Sequence, residues 1–461
     1  NMRQWLMNIS LVGGWFPAAA FAVVAVLSVI LLVSAAVSKR DGRILATVLP
    51  IGVAAVSGMV GYVVAWLLSD VFVVFGVGLG SRVMAWVAAG FAIAGFAIVH
   101  IVLSRGMMRV AAAILTVFAI LAAAIGIDQS YGEYATIGSL FGEDSYSQAD
   151  LTGLAKRKDL ITVAQWRKQA ANGTIRNIPA NGTVNKIDIP ATKSQFEARK
   201  ALVYLPPAAL ADSKRKPALP VVLMLSGQPG SPGRVFQAGG IQTMMDGYAK
   251  THDGLAPIVI AADQLGADSH NTLCVDSKVY GNALTYLTQD VVDWVKTNLP
   301  AAQDAKDWAI AGFSQGATCS LQIGVNHPDL FGTMIPTDSE IKPTNGSRQE
   351  MIDRFFDGDT TAYENQVPVN AIRNHAPTHQ MLIIGAGEKD TTSIRNVKTI
   401  APVAAKAGMR VAAVESSGNA HDWHAVQDVL RYGLAVFGHD TGLDGANPNL
   451  SDYPNLKRIT I

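Results

Sequence analysis

Four long apolar runs fill most of the first 127 residues, at about 15–38, 44–68, 83–103 and 108–127, and no globular domain of that length can bury them all. The first three hold no Asp, Glu, Lys or Arg, and the fourth holds only Arg109 near its start. At roughly 20 residues or more, each can cross a hydrocarbon core of about 30 Å as a helix. A cleavable signal peptide explains one such run, not four. A four-helix transmembrane domain is therefore expected over 1–127.

The short loops set an orientation. Lys39, Arg40 and Arg43 lie between the first two runs and Arg105 and Arg109 around the last junction, whereas the middle loop carries only Asp70 and Arg82. The positive-inside rule places the first and third loops in the cytoplasm, so everything after Asp128 is expected outside the plasma membrane, in the periplasm or the extracellular space. The runs lack a carboxylate pair, an Arg ladder or a repeated pair of broken helices. Packing through Gly, Ala and Ser accounts for them better than a transport path does.

Whole-chain averages hide a change of composition. The chain is 49% hydrophobic, 16% charged and of net charge +1, and most of the apolar excess precedes residue 128. No basic stretch interleaved with aromatics offers a surface for a phosphate backbone, so nucleic acid is not an expected partner. Residues 128–181 read as a polar connector. Its helical pattern around Leu160 and Trp166 fits either a juxtamembrane amphipathic helix or a helix linking two domains.

From Gly182 the pattern becomes strand and helix in turn. "TVNKIDIPA" and "RKALVYLPPAA" read as a hairpin, and "LPVVLMLSG", "APIVIAADQ", "DWAIAGFS", "GTMIPTDSE", "HQMLIIGAGEKD" and "RVAAVESSG" as further strands. Helices are expected between them, over 235–250 and in "ALTYLTQDVVDWVKTNL", "QGATCSLQIGVNHPDLF", "NVKTIAPVAAKAG" and "HAVQDVLRYGLAVFG". This alternation specifies a doubly wound, mainly parallel α/β sheet over 182–461.

Within it, Gly312, Ser314 and Gly316 form a GxSxG pattern where an expected buried strand turns directly into a helix. That corner is what a nucleophile elbow requires. A serine is a weak nucleophile at neutral pH and needs an imidazole base oriented by an acid. Following the chain order nucleophile, acid, histidine, Asp390 is the expected acid, with Glu388 as first alternative and Asp338 a more distant one. His421 is the expected base; His424, one turn on, either lines the site or caps a helix, and His327 reads as structural. The backbone N–H groups of Gln315 and Gln228 are the expected oxyanion donors. No HExxH or paired-His spacing is present, so neither a metal nor another cofactor is expected.

These features resemble the esterase-D and antigen-85 (mycolyltransferase-like) branch of the α/β-hydrolases, on "RKALVYLPPAA", "LMLSGQPG", "GNALTYLTQDVVDWV", "WAIAGFSQGATCSLQIGVNHPDLFG" and "GNAHDW" over roughly 182–438. The resemblance implies acyl-ester chemistry with Ser314, Asp390 (or Glu388) and His421 as the triad. Two departures stand out: Ala317 follows Gly316 where many relatives carry glycine, and antigen-85-like proteins are secreted without four spans. Four spans ahead of an outward esterase also resemble Gram-positive membrane esterases that remove aminoacyl groups from phosphatidylglycerol. Cys274 and Cys319, both in the outward domain, are expected either as a disulfide or as two free thiols.

The leading expectation is thus an outward-facing serine esterase acting on lipid-linked acyl or aminoacyl esters, its partner being membrane lipid. The alternatives are an antigen-85-like acyl transferase of the cell envelope and, from another class, a non-catalytic envelope scaffold. The segment 342–372 is a candidate cap over the site.

Overall fold

The four apolar runs fold as helices α1 (Trp15–Ala36), α2 (Arg43–Trp66), α3 (Ser81–Leu103) and α4 (Met107–Tyr131). The computed structural model describes residues 2–37, 43–72, 74 and 78–461. Lys39 and Arg40, on which the expected orientation leans, lie outside the described residues. All four helices are long and apolar enough to cross a membrane, the second continuing to Val71. α3 packs against α2 and α4, and α1 against α4. The layer between them is built from Val24, Leu31, Ala97, Ala112 and Leu115, with Gly95 against Ser57 and Gly126 against the Trp86 ring. Small residues let helix backbones approach closely, which supplies the packing where lipid gives no hydrophobic drive. On the outer faces Val29, Met59, Ile98 and Ile120 are 52% to 70% exposed, an apolar exterior suited to lipid. α4 runs past its expected end because residues 128–131 stay helical until Gly132 turns left-handed and its N–H returns to the carbonyl of Asp128.

The chain divides into two units, Asn1–Glu143 with Ala420–Asp422, and Asp144–Asn419 with Trp423–Ile461. The second is built on a ten-stranded sheet. Its strands are β1 (Ser147–Gln148), β2 (Thr183–Ile187), β3 (Ala201–Leu205), β4 (Val221–Leu225), β5 (Ile258–Ala261), β6 (Trp308–Phe313), β7 (Thr333–Thr337), β8 (Met381–Gly387), β9 (Arg410–Ser416) and β10 (Leu456–Arg458). They lie in the order β1-β2-β3-β5-β4-β6-β7-β8-β9-β10. Pairing is parallel from β5 through β4 and β6 to β9, and antiparallel at β2–β3, β3–β5 and β9–β10.

Every residue of β3 to β8 is buried, because helices cover both faces of the sheet. Side chains alternate between two cores. Leu223, Ile260, Ile310 and Ile384 face one, and Val222, Val259, Ala311 and Ile383 the other. The helices are α5 (Val163–Ala171), α6 (Pro232–Ala238), α7 (Ile241–Lys250), α8 (Val291–Asn298), α9 (Gln315–Asn326), α10 (Arg348–Phe355), α11 (Thr360–Glu364), α12 (Pro368–Asn374), α13 (Thr391–Lys406) and α14 (Trp423–Asp440). The helix expected over 235–250 is two, interrupted at Gly239 and Gly240.

The residues expected as a connector are divided between the two units. Residues 128–131 complete α4, whereas 144–181 belong to the α/β unit. There β1 pairs with β2, and α5 buries Trp166 completely in the core, its indole N–H donating to the carbonyl of Asp253 (3.1 Å). That rules out a membrane-surface role for this helix face. Trp166→Ala is predicted to cost the α/β unit about 3–5 kcal/mol, read by chemical denaturation; a helix that merely links domains would leave the unfolding midpoint unmoved.

Candidate active site

The parallel strands end together. Gly312 pairs with Leu225, Phe313 with Thr337, and Gly387 with Ser416, so the loops after β4, β6, β7, β8 and β9 leave from one carboxyl edge of the sheet. Ligands of open α/β sheets bind at that edge.

Ser314 stands at the corner between β6 and α9, with φ 56° and ψ −117°. A non-glycine residue in this region costs about 1–3 kcal/mol and persists where its surroundings enforce it. Here they do. The Ser314 N–H donates to the carbonyl of Thr337 (3.0 Å), and its own carbonyl accepts from the N–H groups of Ala317 and Thr318 (3.0 Å each). A Cβ on Gly312 would lie 2.2 Å from the carbonyl oxygen of Gly316, and a Cβ on Gly316 2.3 Å from that of Ser226. The two glycines are thus steric requirements of the turn.

Asp390 is buried at the N-cap of α13 and accepts from the N–H of Ser393 (3.0 Å). Asp338 follows β7 in a left-handed conformation, φ 55°, fully buried, and its Oδ1 accepts from the N–H of Gly387 (2.9 Å). A carboxylate oxygen of Asp338 and one of Asp390 lie within 4.8 Å of each other. Two carboxylates so close at this edge can orient and charge-balance an imidazole, and they are also donors that a divalent cation accepts. His421 lies in the stretch Ala420–Asp422 that is grouped with the other unit.

Glu388, the first alternative acid, is otherwise engaged. Its carboxylate accepts from the N–H of Gly418 (2.7 Å) and from Lys457 (3.2 Å), which together hold it below the usual carboxylate range. The same stretch pairs along its backbone, the N–H of Glu388 donating to Ser416 and that of Lys389 to Asn419. Glu388 therefore locks the loop after β8 to the loop after β9, two residues before His421. His424 lies in the first turn of α14, and His327 ends α9, where burial lowers its pKa.

Gln228 follows Gly227, which lies against Phe313 and Ser314. The Gln315 side chain is buried between two neighbours: its Nε2 donates to Asn271 Oδ1 (3.2 Å), and its Oε1 accepts from Gln264 Nε2 (3.1 Å). Cys274 and Cys319 form a disulfide, Cα–Cα 5.8 Å, which fastens the segment carrying Asn271 to α9. Asn271 in turn bonds Thr344 and Asn345, at the start of the expected cap. The segment expected as a cap folds as α10, α11 and α12, with Met351, Ile352, Phe355 and Tyr363 packed against Leu273 and Val275. Sequence reasoning missed Gln264 and Asn271. The available signal was a run of polar residues, "DQ" and then "HNT", directly after the fully apolar β5.

Comparison with known proteins gives a family and several relatives. The family model described as "Putative esterase" matches residues 193–433, more than half of the chain. An uncharacterized protein of Corynebacterium glutamicum is 32% identical over 333 residues, covering 70% of this chain and 74% of that protein. Among solved structures, a ferulic acid esterase aligns with 17% identity and TM-score 0.46, over 57% of this chain and 99% of that one. An S-formylglutathione hydrolase from Agrobacterium tumefaciens gives 16% and 0.46 over 58% and 98%. MPT51 of Mycobacterium tuberculosis gives 13% and 0.41 over 56% and 98%.

If the elbow depends on the glycine contact, Gly316→Ala will lose esterase turnover by at least about 100-fold, as misplacing a reacting group by about 1 Å does. Ala317→Gly, one residue on, should stay near wild type in the same assay.

Proposed function

This chain belongs to the esterase family, and from that premise we propose that it is a membrane-anchored, outward-facing serine esterase of α/β-hydrolase type acting on lipid-linked acyl or aminoacyl esters. The observation that carries the reading is the enforced left-handed conformation of Ser314 between two glycines that admit no side chain. Nothing about a structural helix N-cap calls for that geometry.

In the proposed reaction His421 takes the proton of Ser314 as Oγ attacks the ester carbonyl. Asp390 orients the imidazole and offsets its positive charge, with Asp338 beside it. The tetrahedral oxyanion is received by the backbone N–H groups of Gln315 and Gln228. Collapse breaks the bond to the alkoxy oxygen, which leaves as an alcohol with the proton from His421. Water then attacks the acyl-enzyme with His421 again as base, releasing the acid and restoring Ser314. An alcohol acceptor in place of water gives the transferase outcome, and the products distinguish the two. The four apolar helices support a lipid-held ester as substrate, since a bilayer concentrates both enzyme and substrate in one layer. The basic residues of the first and third loops support the outward orientation.

A fluorophosphonate probe should label the wild-type protein and not Ser314→Ala; folded wild type that resists labelling would favour a non-catalytic scaffold. Asp390→Asn is expected to lower kcat on the order of 10³- to 10⁴-fold, as loss of the orienting acid does in other triads, with Glu388→Gln within about tenfold of wild type. Treatment with EDTA should leave turnover unchanged. Loss on chelation, restored by a divalent cation, would assign Asp338, Asp390 and His421 to a metal instead.

A further inference from the structure

We infer that Gln264 is a positioning residue that sets the spacing of the two oxyanion donors, a role that rests on the acyl-enzyme reading of Ser314. Its side chain is fully buried and bridges the two segments that supply those donors. Nε2 donates to the carbonyl of Ser226 (2.6 Å), two residues before Gln228, and to Oε1 of Gln315 (3.1 Å). It also lies 3.3 Å from the Ser226 hydroxyl.

The orientation of this amide follows from its neighbours. Exchanging its nitrogen and oxygen would set two carbonyl acceptors face to face at Ser226. Gln264 Oε1 is buried without a hydrogen-bond partner among the described residues, so the amide is held in place by its donor. A group kept only for packing would be apolar here, because a leucine or methionine fills the same space without leaving an acceptor unpaired.

The brace is itself anchored on both sides. Asp263 is fully buried and accepts from Arg199 through Nε (2.9 Å), Nη2 (2.8 Å) and the backbone N–H (2.8 Å), and from the N–H groups of Leu265 (3.1 Å) and Gly266 (3.2 Å). Arg199 Nη2 also donates to the carbonyl of Gly230 (2.8 Å), at the far end of the loop that carries Gln228. On the other side Thr272 Oγ1 donates to the carbonyl of Gln264 (2.6 Å), and the Cys274–Cys319 disulfide holds the segment of Thr272 to α9. Gln264 thus joins the loop after β4 to the start of α9, and both are fixed to the residues that flank it.

Oxyanion donors act by being correctly spaced before charge develops, so loosening the brace should weaken transition-state binding and spare ground-state binding. The test uses the full-length protein in detergent, with p-nitrophenyl butyrate as substrate and phenylboronic acid as tetrahedral mimic. For Gln264→Met and Gln264→Glu, kcat should fall about 10- to 100-fold with KM changed less than about threefold, and boronate affinity should fall in step with kcat. Asn271→Ala removes a second hold on Gln315 at a half-buried site, leaving its longer contact with Cys274 Sγ (3.7 Å), so it does not depend on the core variants folding; kcat should fall about 3- to 10-fold with KM retained. Folded variants with wild-type kcat, or losses carried by KM with boronate affinity unchanged, would overturn the inference. Ser314→Ala separates it from the reading beneath it. If that variant is inactive while the Gln264 and Asn271 variants turn over normally, the acyl-enzyme stands and the brace fails; if Ser314→Ala still turns over, the acyl-enzyme reading fails first.

Discussion

Gly316 packs its α-carbon against the carbonyl oxygens of Leu225 and Ser226, and the polar edge of the α/β unit is arranged around that contact. Because no side chain separates them, α9 begins directly over the end of β4, and Ser314 is left in a conformation that serine would not adopt in a free chain. The rigid sheet below supplies the constraint. The fully buried β4, β6 and β7 are paired in parallel up to the residues that precede the site, so the turn has nowhere to relax. The strain is carried by burial elsewhere, in two hydrophobic cores.

The loops at this edge are rigid for reasons that are local and polar. Asp263 satisfies five N–H donors or arms of one guanidinium, Asp390 caps a helix, and Glu388 ties one loop to the next. Buried polar groups are costly unless paired, so each such group restricts its loop to one arrangement. The disulfide adds to this by closing a sequence separation of 45 residues, an effect of about 4 kcal/mol on the unfolded chain in the entropy treatment. The four apolar helices follow another rule. Their inner faces mix small residues with Val and Leu, and their outer faces are apolar where those of a water-soluble bundle are polar.

Much of this was legible in the sequence because it depends on patterns of short range. Strands buried on both faces are mostly continuously apolar, so β4, β5, β6 and β8 stand out as runs. The elbow is written in Gly312, Ser314 and Gly316, whose spacing is itself the steric requirement. What was not legible depends on partners distant in sequence. Trp166 sits in a polar stretch and is buried only because Asp253 and the core receive it. β10 reads "LKR", with its Lys and Arg exposed, and is a strand only by pairing with β9. Asp338 and Asp390 each follow a strand, and no spacing rule separates a carboxylate turned toward the base from one turned away. Gln264 carries no motif, since its role comes from where two other loops happen to end.

The central claim is that an acyl group passes through Ser314, and the most direct test is to catch it there. The protein would be reconstituted in vesicles holding a fatty-acyl ester lipid, quenched in acid during turnover, digested and analysed by mass spectrometry. The acyl mass should appear on the peptide carrying Ser314 and decay as free acid or acylated acceptor accumulates. Turnover with no acyl mass on Ser314, or with that mass on another residue, would contradict the account.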